Sequence, residues 1–282
     1  MASVQAPFSE LATKAAALVL APVLTLGLLA APGPALAEED DPWPDLRETL
    51  FGERPIAEGA GVISLEAPYR AYDAAIVPIT MTAEIPQDAE RYIKTMTLVV
   101  DKNPAPVAAV FSMTPQNGTA TISTRIRVNE YTNVRVIAET SDGALYMATK
   151  FVKAAGGCSA PALKDMAAAE SRIGKMKLKQ SQAIKADQPN EVQFLVSHPN
   201  YTGFQMNQLT RHYIPAHFVQ DIKVSYGGRT IMTVEGAISL SEDPSIHFSF
   251  VPDGPGELTF EVRDTDDAVF TNSWPVSPAG QS

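Results

Sequence analysis

The chain has 282 residues, with 22 lysine and arginine against 32 aspartate and glutamate, a formal net charge of −10. Such acidity is repelled by phosphate backbones and anionic lipid, which argues against nucleic-acid and membrane-surface binding. Hydrophobic residues make up 45% of the sequence, enough for a packed core, and the single cysteine, Cys158, rules out any internal disulfide.

Residues 14–37 run from Lys14 through an apolar stretch into Pro32-Gly33-Pro34-Ala35-Leu36-Ala37. Ala35 and Ala37 flank Leu36 as an A-x-A cleavage site, so 1–37 reads as a signal peptide and the mature chain begins near Glu38, in the periplasm. The apolar run holds Pro22 and Gly27 and falls short of the roughly 20 residues that span a bilayer, so no membrane attachment is expected after cleavage. The remainder is long enough for two small domains.

Residues 44–52 have the pattern of a brief helix, with Leu46, Leu50 and Phe51 on one side. From there the hydrophobic period is two, as half-buried strands require. Val77, Ile79, Met81, Ala83 and Ile85 alternate with smaller or polar neighbours. Met96, Leu98 and Val100 do the same, as do Ala120, Ile122, Thr124, Ile126 and Val128. Val134, Val136 and Ala138 form another strand, and Leu145, Met147, Thr149 and Phe151 a last one. Asn117-Gly118 and Asp142-Gly143 read as tight hairpins. With 61–65 and 107–113 added, residues 38–153 give about seven strands, which suits an immunoglobulin-like sandwich. A second set follows at 176–183, 192–196, 218–226, 230–234, 246–251, 258–262 and 269–274, with Gly227-Gly228 and Asp253-Gly254-Pro255-Gly256 as turns. The expected fold is therefore all-β, with two immunoglobulin-like β-sandwich domains, 38–153 and 175–282, joined by a linker over 154–174.

That linker opens Ala154-Ala155-Gly156-Gly157-Cys158-Ser159-Ala160-Pro161-Ala162, with almost nothing to bury, and is expected to be flexible. Pro161 can open a short Ala-rich helix over 162–173. A lone cysteine is ordinarily a buried small hydrophobe. Here its burial would also bury backbone donors that lack partners, so the sequence predicts an exposed thiol hinged at Gly156 and Gly157. A Gly-Gly hinge cannot hold a base within reach of the sulfur, and His198, His212, His217 and His247 all fall in the second half. No catalytic residue and no cofactor are expected. An extended arm from Lys153 to Cys158 reaches roughly 17 Å, enough to enter a partner's cleft. An unperturbed thiol with a pKa of about 8.5 is a few per cent thiolate at neutral pH, and Lys150, Lys153 and Lys164 would raise that fraction. A thiol on such an arm, at Cys158, suits presentation to other proteins.

Other candidates are weaker. His212 and His217 have no cysteine or carboxylate cluster near them in sequence, so no metal site is expected. Asp264-Thr265-Asp266-Asp267 lacks the glycine and distal glutamate of a calcium loop and reads as a hairpin turn. Asn117-Gly118-Thr119 and Asn200-Tyr201-Thr202 match the glycosylation sequon, a pattern short enough to arise by chance.

Several segments carry a resemblance. Leu50-Phe51-Gly52-Glu53-Arg54-Pro55-Ile56, Asp101-Lys102-Asn103-Pro104, Ser123-Thr124-Arg125-Ile126-Arg127, Ala138-Glu139-Thr140-Ser141-Asp142-Gly143 with Tyr146-Met147-Ala148, and Gly156-Gly157-Cys158 resemble SoxY, the sulfur-carrying subunit of bacterial sulfur oxidation. Ser197-His198-Pro199 with Thr202-Gly203, Pro215-Ala216-His217-Phe218 and Tyr226-Gly227-Gly228 resemble SoxZ. The order is that of a fused SoxY–SoxZ carrier of the kind associated with quinoprotein dehydrogenases. The resemblance implies that Cys158 bears sulfur intermediates while separate periplasmic enzymes oxidise and hydrolyse them. It also implies an intramolecular pairing of the two domains. In the family the arm is a free tail, Gly-Gly-Cys-Gly-Gly, whereas here Ser159-Ala160-Pro161 follows and the chain continues. The competing reading is a non-catalytic adaptor that docks a quinoprotein dehydrogenase, with Cys158 incidental.

Overall fold

The computed structural model describes residues 41–161 and 166–279; the expected signal peptide and part of the Ala-rich stretch lie outside them. The chain opens with helix α1 (Trp43–Phe51), which has Pro44 and Asp45 in its first turn, where a missing N–H costs nothing and an anion is favoured. Strands β1 (Ile56–Glu58), β2 (Ile63–Glu66), β3 (Val77–Ala83), β4 (Ile93–Val100) and β5 (Val107–Met113) follow. Then come β6 (Thr121–Ile126), β7 (Thr132–Thr140) and β8 (Leu145–Val152), and the short helix α2 (Met166–Glu170). The second half contributes β9 (Met176–Gln180), β10 (Asn190–Val196), β11 (Val219–Tyr226), β12 (Arg229–Gly236), β13 (Ser245–Phe250), β14 (Gly256–Asp264) and β15 (Val269–Val276). The period-two runs anticipate these strands except β1, which is three residues long and has no buried position.

The fold is all-β, two sandwich halves built on two sheets. One sheet has nine strands in the order β1-β8-β7-β4-β5-β12-β11-β14-β15, and the other six, β2-β3-β6-β13-β10-β9. Both sheets run through both halves. In the larger, β5 and β12 pair antiparallel from Met113↔Met232 to Ala109↔Gly236. In the smaller, β6 meets β13 at Ser123↔His247. Inward residues of both sheets form a continuous core, with Val77, Ile79, Phe111 and Ile122 from one half and Phe194, Phe248, Phe260 and Val262 from the other. Phe194 and Phe260 stack at 4.1 Å between ring centroids. Helix α1 covers the outer face of the nine-stranded sheet, packing Trp43, Leu46 and Phe51 on Val99, Ile137 and Leu145.

Two turn assignments separate here. Asp142-Gly143 joins the paired strands β7 and β8, with Gly143 at φ 85°, and Gly227-Gly228 joins β11 to β12 with both glycines at positive φ. Asn117-Gly118 is not a hairpin: β5 pairs with β4 and β12, and β6 with β3 and β13, so this turn carries the chain from one sheet to the other. The buried Asn117 side chain accepts from the Thr114 N–H and donates to the Ser249 carbonyl of the second half. Burial of Asn117 and Asn200, at 1% and 0% exposure, removes both sequon asparagines from the surface.

Candidate functional site

The strand β8 hands the chain to residues 153–161, and this strap is seated rather than free. The Lys153 N–H donates to the Tyr69 carbonyl, Gly156 N–H to Asn129 at 2.8 Å, and Gly157 N–H to Val128 at 2.9 Å. From the second half, the Thr202 hydroxyl donates to the Cys158 carbonyl at 2.6 Å and the Gln205 amide to the Ala160 carbonyl at 3.1 Å. The strap thus lies in the seam between the halves. Cys158 is 1% exposed, which corrects the expectation of an exposed thiol on a mobile arm. The expectation rested on unpaired backbone groups, and the tertiary structure supplies their partners from both sides. Small side chains are what so narrow a seat accepts. A Cβ on Gly157 would lie 2.1 Å from the Ala74 carbonyl oxygen.

Behind the strap lies Arg127, also 1% exposed. Period-two alternation places it on the solvent face of β6, but the strand ends at Ile126 and the second half covers the next residue. The rail it belongs to is firmly held. Arg127 N–H donates to Ser239, and Val128 N–H to Ala74. The buried Asn103 amide donates to the Arg127 carbonyl at 2.8 Å and to Ser239 Oγ at 2.9 Å, while its Oδ1 accepts from Asn129 N–H. The guanidinium is less well served. Nη1 reaches the Gly157 carbonyl at 3.4 Å, Nη2 the Asn200 carbonyl at 3.3 Å, and Nε has no partner. Among the described residues Arg127 forms no ion pair. Burial lowers its pKa, opposed by the fields of Glu242, Cys158 and Asp73. A buried cation held only by long bonds to carbonyls is costly, and any anion that enters the seam would relieve it.

Burial also pushes the Cys158 thiol up to about 11, with Arg127 acting in the opposite sense. The seated sulfur is therefore protonated at neutral pH and is a poor nucleophile. Chemistry at this thiol requires the strap to leave its seat. The bonds that hold it run largely to backbone groups, which water can satisfy equally well once the strap is out. Gly156 sits at φ 80° with open space around it, a conformation that other residues adopt only under strain.

The clasp from the second half is positioned by a buried polar cluster that the sequence did not reveal. Asn200 is fully buried; its side chain accepts from Val219 N–H and donates to the Ser241 carbonyl. His198 Nδ1 accepts the Asn200 N–H at 3.0 Å. His198 Nε2 lies 3.6 Å, and His217 Nε2 2.9 Å, from Asp264 Oδ2. Asp264 Oδ1 caps the β14–β15 turn by accepting from Asp266 and Ala268, as the hairpin reading of 264–267 anticipated. Burial opposes ionisation of Asp264, but bonds from His217, Ala268 and Asp266 outweigh it and hold its pKa down. Burial, and then His217, lower His198 to about 4, so that ring is neutral.

His198, His217 and Asp264 offer ligand atoms within 4.8 Å of one another, the spacing of a metal centre. The donor set does not fit one. With Nδ1 of His198 accepting a backbone N–H, the neutral ring carries its proton on Nε2, the atom that would face the ion. Asp264 is hydrogen-bonded to His217, while His198 Nε2 stands 3.6 Å from the same carboxylate with no hydrogen-bond partner among the described residues; the buried group braces the loop that presents Asn200, Thr202 and Gln205. His212, the other histidine weighed in sequence, stays exposed outside this cluster.

A family model described as "Sulfur oxidation protein SoxY" matches residues 47–158, ending on Cys158 itself, and one described as "Sulphur oxidation protein SoxZ" matches 176–275. No curated protein matches the chain. Among solved structures, a superoxide reductase (neelaredoxin) from Ignicoccus hospitalis is 18% identical, covering 40% of this chain and 86% of its own, with a TM-score of 0.29. A family 2 glycosyl hydrolase from Bacteroides cellulosilyticus is 9% identical, covering 81% and 30%, with a TM-score of 0.23. The tandem matches, which together span most of the described residues, place the chain in the sulfur-oxidation carrier family as a SoxY and a SoxZ domain fused in one polypeptide.

Proposed function

We propose that this chain is a periplasmic carrier that holds a sulfur-containing intermediate covalently on Cys158 and presents it to separate oxidoreductases and hydrolases. The observation that carries the reading is the position of the sole thiol. It ends the SoxY match and sits on a strap gripped mainly through backbone bonds by both halves. Gly156 and Gly157 form the hinge on which the strap swings out. Residues 1–37 are the export signal, 38–153 and 175–282 the SoxY-like and SoxZ-like domains, and 154–174 the segment that carries the cysteine. The domains work as one intramolecular pair, a role supported by the shared strand ladder between β5 and β12. No helix of the described residues is long and apolar enough to cross a membrane. Exposed aromatic side chains stand on the segments that hold the strap: Tyr69, Tyr72 and Tyr131 from the first half, Phe204 and Tyr213 from the second. Such a surface suits transient partners.

One observation favours the adaptor reading, in which the chain docks a quinoprotein dehydrogenase and Cys158 is incidental: the thiol is buried and protonated, as inert structural cysteines are. Intact-mass measurement on protein taken from its native periplasm separates the two. A reducible adduct on Cys158 is expected. A bare thiol under every growth condition would overturn the carrier reading.

A further inference from the structure

The two halves bury a cation against the strap and, among the described residues, give it no ion pair. Arg127 has a carbonyl on either side, Gly157 on the strap and Asn200 on the clasp, an unpartnered Nε, and no ion pair among the described residues. A structural arginine at 1% exposure is ordinarily neutralised by a carboxylate, as Arg135 is by Asp101 in this same molecule, with Nη2 to Oδ2 at 2.9 Å. The nearest acidic influences on Arg127, Glu242 and Asp73, make no ion pair with it, and the remaining group whose negative charge would favour the guanidinium is Cys158. Among the described residues, then, the buried guanidinium without an ion pair contacts the carbonyl of Gly157, the residue next to the one thiol in the chain.

We propose that Arg127 is the charge-selecting residue of the Cys158 site: it draws anionic thiol-reactive groups to the sulfur, disfavours cationic ones, and positions the negative end of what becomes attached. This rests on the reading of Cys158 as the attachment residue. It gives the unpaired guanidinium a task, because an anion entering as the strap lifts meets a donor already oriented by Asn103 and Ser239 through the backbone of residue 127. It also requires selection to act against the background field, since the chain as a whole carries a formal charge of −10 and repels anions.

The test uses purified full-length protein in its reduced form and two methanethiosulfonate reagents, one ending in a sulfonate and one in a quaternary ammonium. In each reaction the Cys158 thiol gives up its proton to solvent and its sulfur attacks the sulfenyl sulfur of the reagent. The new S–S bond forms as the S–SO2 bond breaks, and methanesulfinate leaves with the electron pair. The readout is the ratio of anionic to cationic labelling rates, referenced to the same ratio for the urea-unfolded chain. Opening of the strap and ionisation of the thiol enter both rates equally and cancel, so a merely structural role for Arg127 would not move the ratio. We expect the folded protein to exceed its unfolded reference by about tenfold, the order expected of one nearby charge at an intermediate effective dielectric. Arg127→Lys should keep that excess and Arg127→Gln should lose it. A folded wild-type ratio at or below the reference overturns the proposal even if Arg127→Gln fails to fold. So does an excess that Arg127→Gln retains, which would assign selection to other cations. Absence of any native adduct would sink the carrier reading while leaving this ratio measurable, and a flat ratio would leave the attachment reading standing.

Discussion

The Gly157 α-carbon faces the Ala74 carbonyl so closely that an added methyl group would lie 2.1 Å from the oxygen, while that same carbonyl accepts the Val128 N–H at 2.8 Å. The seat of the strap is therefore shaped by backbone on both sides, and no rotamer change can relieve a larger residue at 157. Gly157→Ala is expected to unseat the strap. Its cost is capped by the free energy of opening, on the order of 1–3 kcal/mol for an overpacked site. Alkylation of Cys158 by iodoacetamide at pH 8 should accelerate at least tenfold. An unchanged rate would show that the strap is open already, or that another barrier governs access.

Replacement of Cys158 by Ser tests the burial directly. A hydroxyl in a seat that offers the side chain no hydrogen-bond partner among the described residues leaves a polar group buried, at a cost of roughly 1–3 kcal/mol. For a chain of this size that corresponds to a fall in Tm of about 2–4 °C per kcal/mol. Cys158→Ala should lose less. A serine variant that melts with the wild type would mean that the strap leaves its seat readily in solution.

The thiol also makes the seated strap sensitive to alkali. Its pKa is raised from 9.0 to about 11 on seating, so the neutral form is favoured in place. The resulting stability is fully present below pH 9 and is lost as pH rises through 11. Hydrogen exchange at the Gly156 and Gly157 amides should show protection that falls over this window in the wild type. Tyr201 and Tyr226, whose pKa values are also raised by burial, ionise in alkali as well, so Cys158→Ala is the control. If its protection falls in parallel with the wild type, Cys158 is not the titrating group.

At the acid end the group to watch is His198. Its pKa is lowered from 6.5 to about 4 in the fold, so neutral His198 contributes stability above pH 6.5 that is lost as pH falls through 4. His198→Gln should flatten the dependence of Tm on pH between 6.5 and 4. Asp264→Asn should destabilise at neutral pH by about 1–3 kcal/mol, and by less as falling pH protonates the wild-type carboxylate, because it removes the charged acceptor of His217 while the turn N–H groups of Asp266 and Ala268 keep only a neutral one. Equal acid sensitivity in His198→Gln and wild type would assign the acid transition to other groups.

A fifth measurement concerns the pairing of the halves. Thr233 on β12 lies opposite Ser112 on β5 and Lys223 on β11, and Thr233→Pro would remove a ladder donor from the strand that joins the halves. A loss of about 3 kcal/mol or more, with one cooperative transition in the wild type, is expected of halves that fold as a unit. Two transitions in the wild type, with only one moved by the substitution, would show independent domains.

The sequence by itself determined the strands. Alternation such as Val77, Ile79 and Met81, and glycine turns such as Asp142-Gly143 and Gly227-Gly228, depend on residues within a few positions of one another, and local pattern suffices for them. It also determined that the one thiol sits between the halves and resembles the carrier cysteine of SoxY. What only the tertiary structure decided is the environment of that thiol. Composition made Gly156-Gly157-Cys158 look mobile because its backbone partners are not local. They are Asn129 and Val128 on one side and Thr202 and Gln205 on the other, over 40 residues away on the second half. Arg127 is assigned by period to a solvent face that the second half covers, and Asn117-Gly118 has the chemistry of a hairpin but joins two different sheets. In each case the local signal misled, because a contact distant in sequence decided the outcome: burial is a property of what packs on top of a residue and not of its neighbours in the chain.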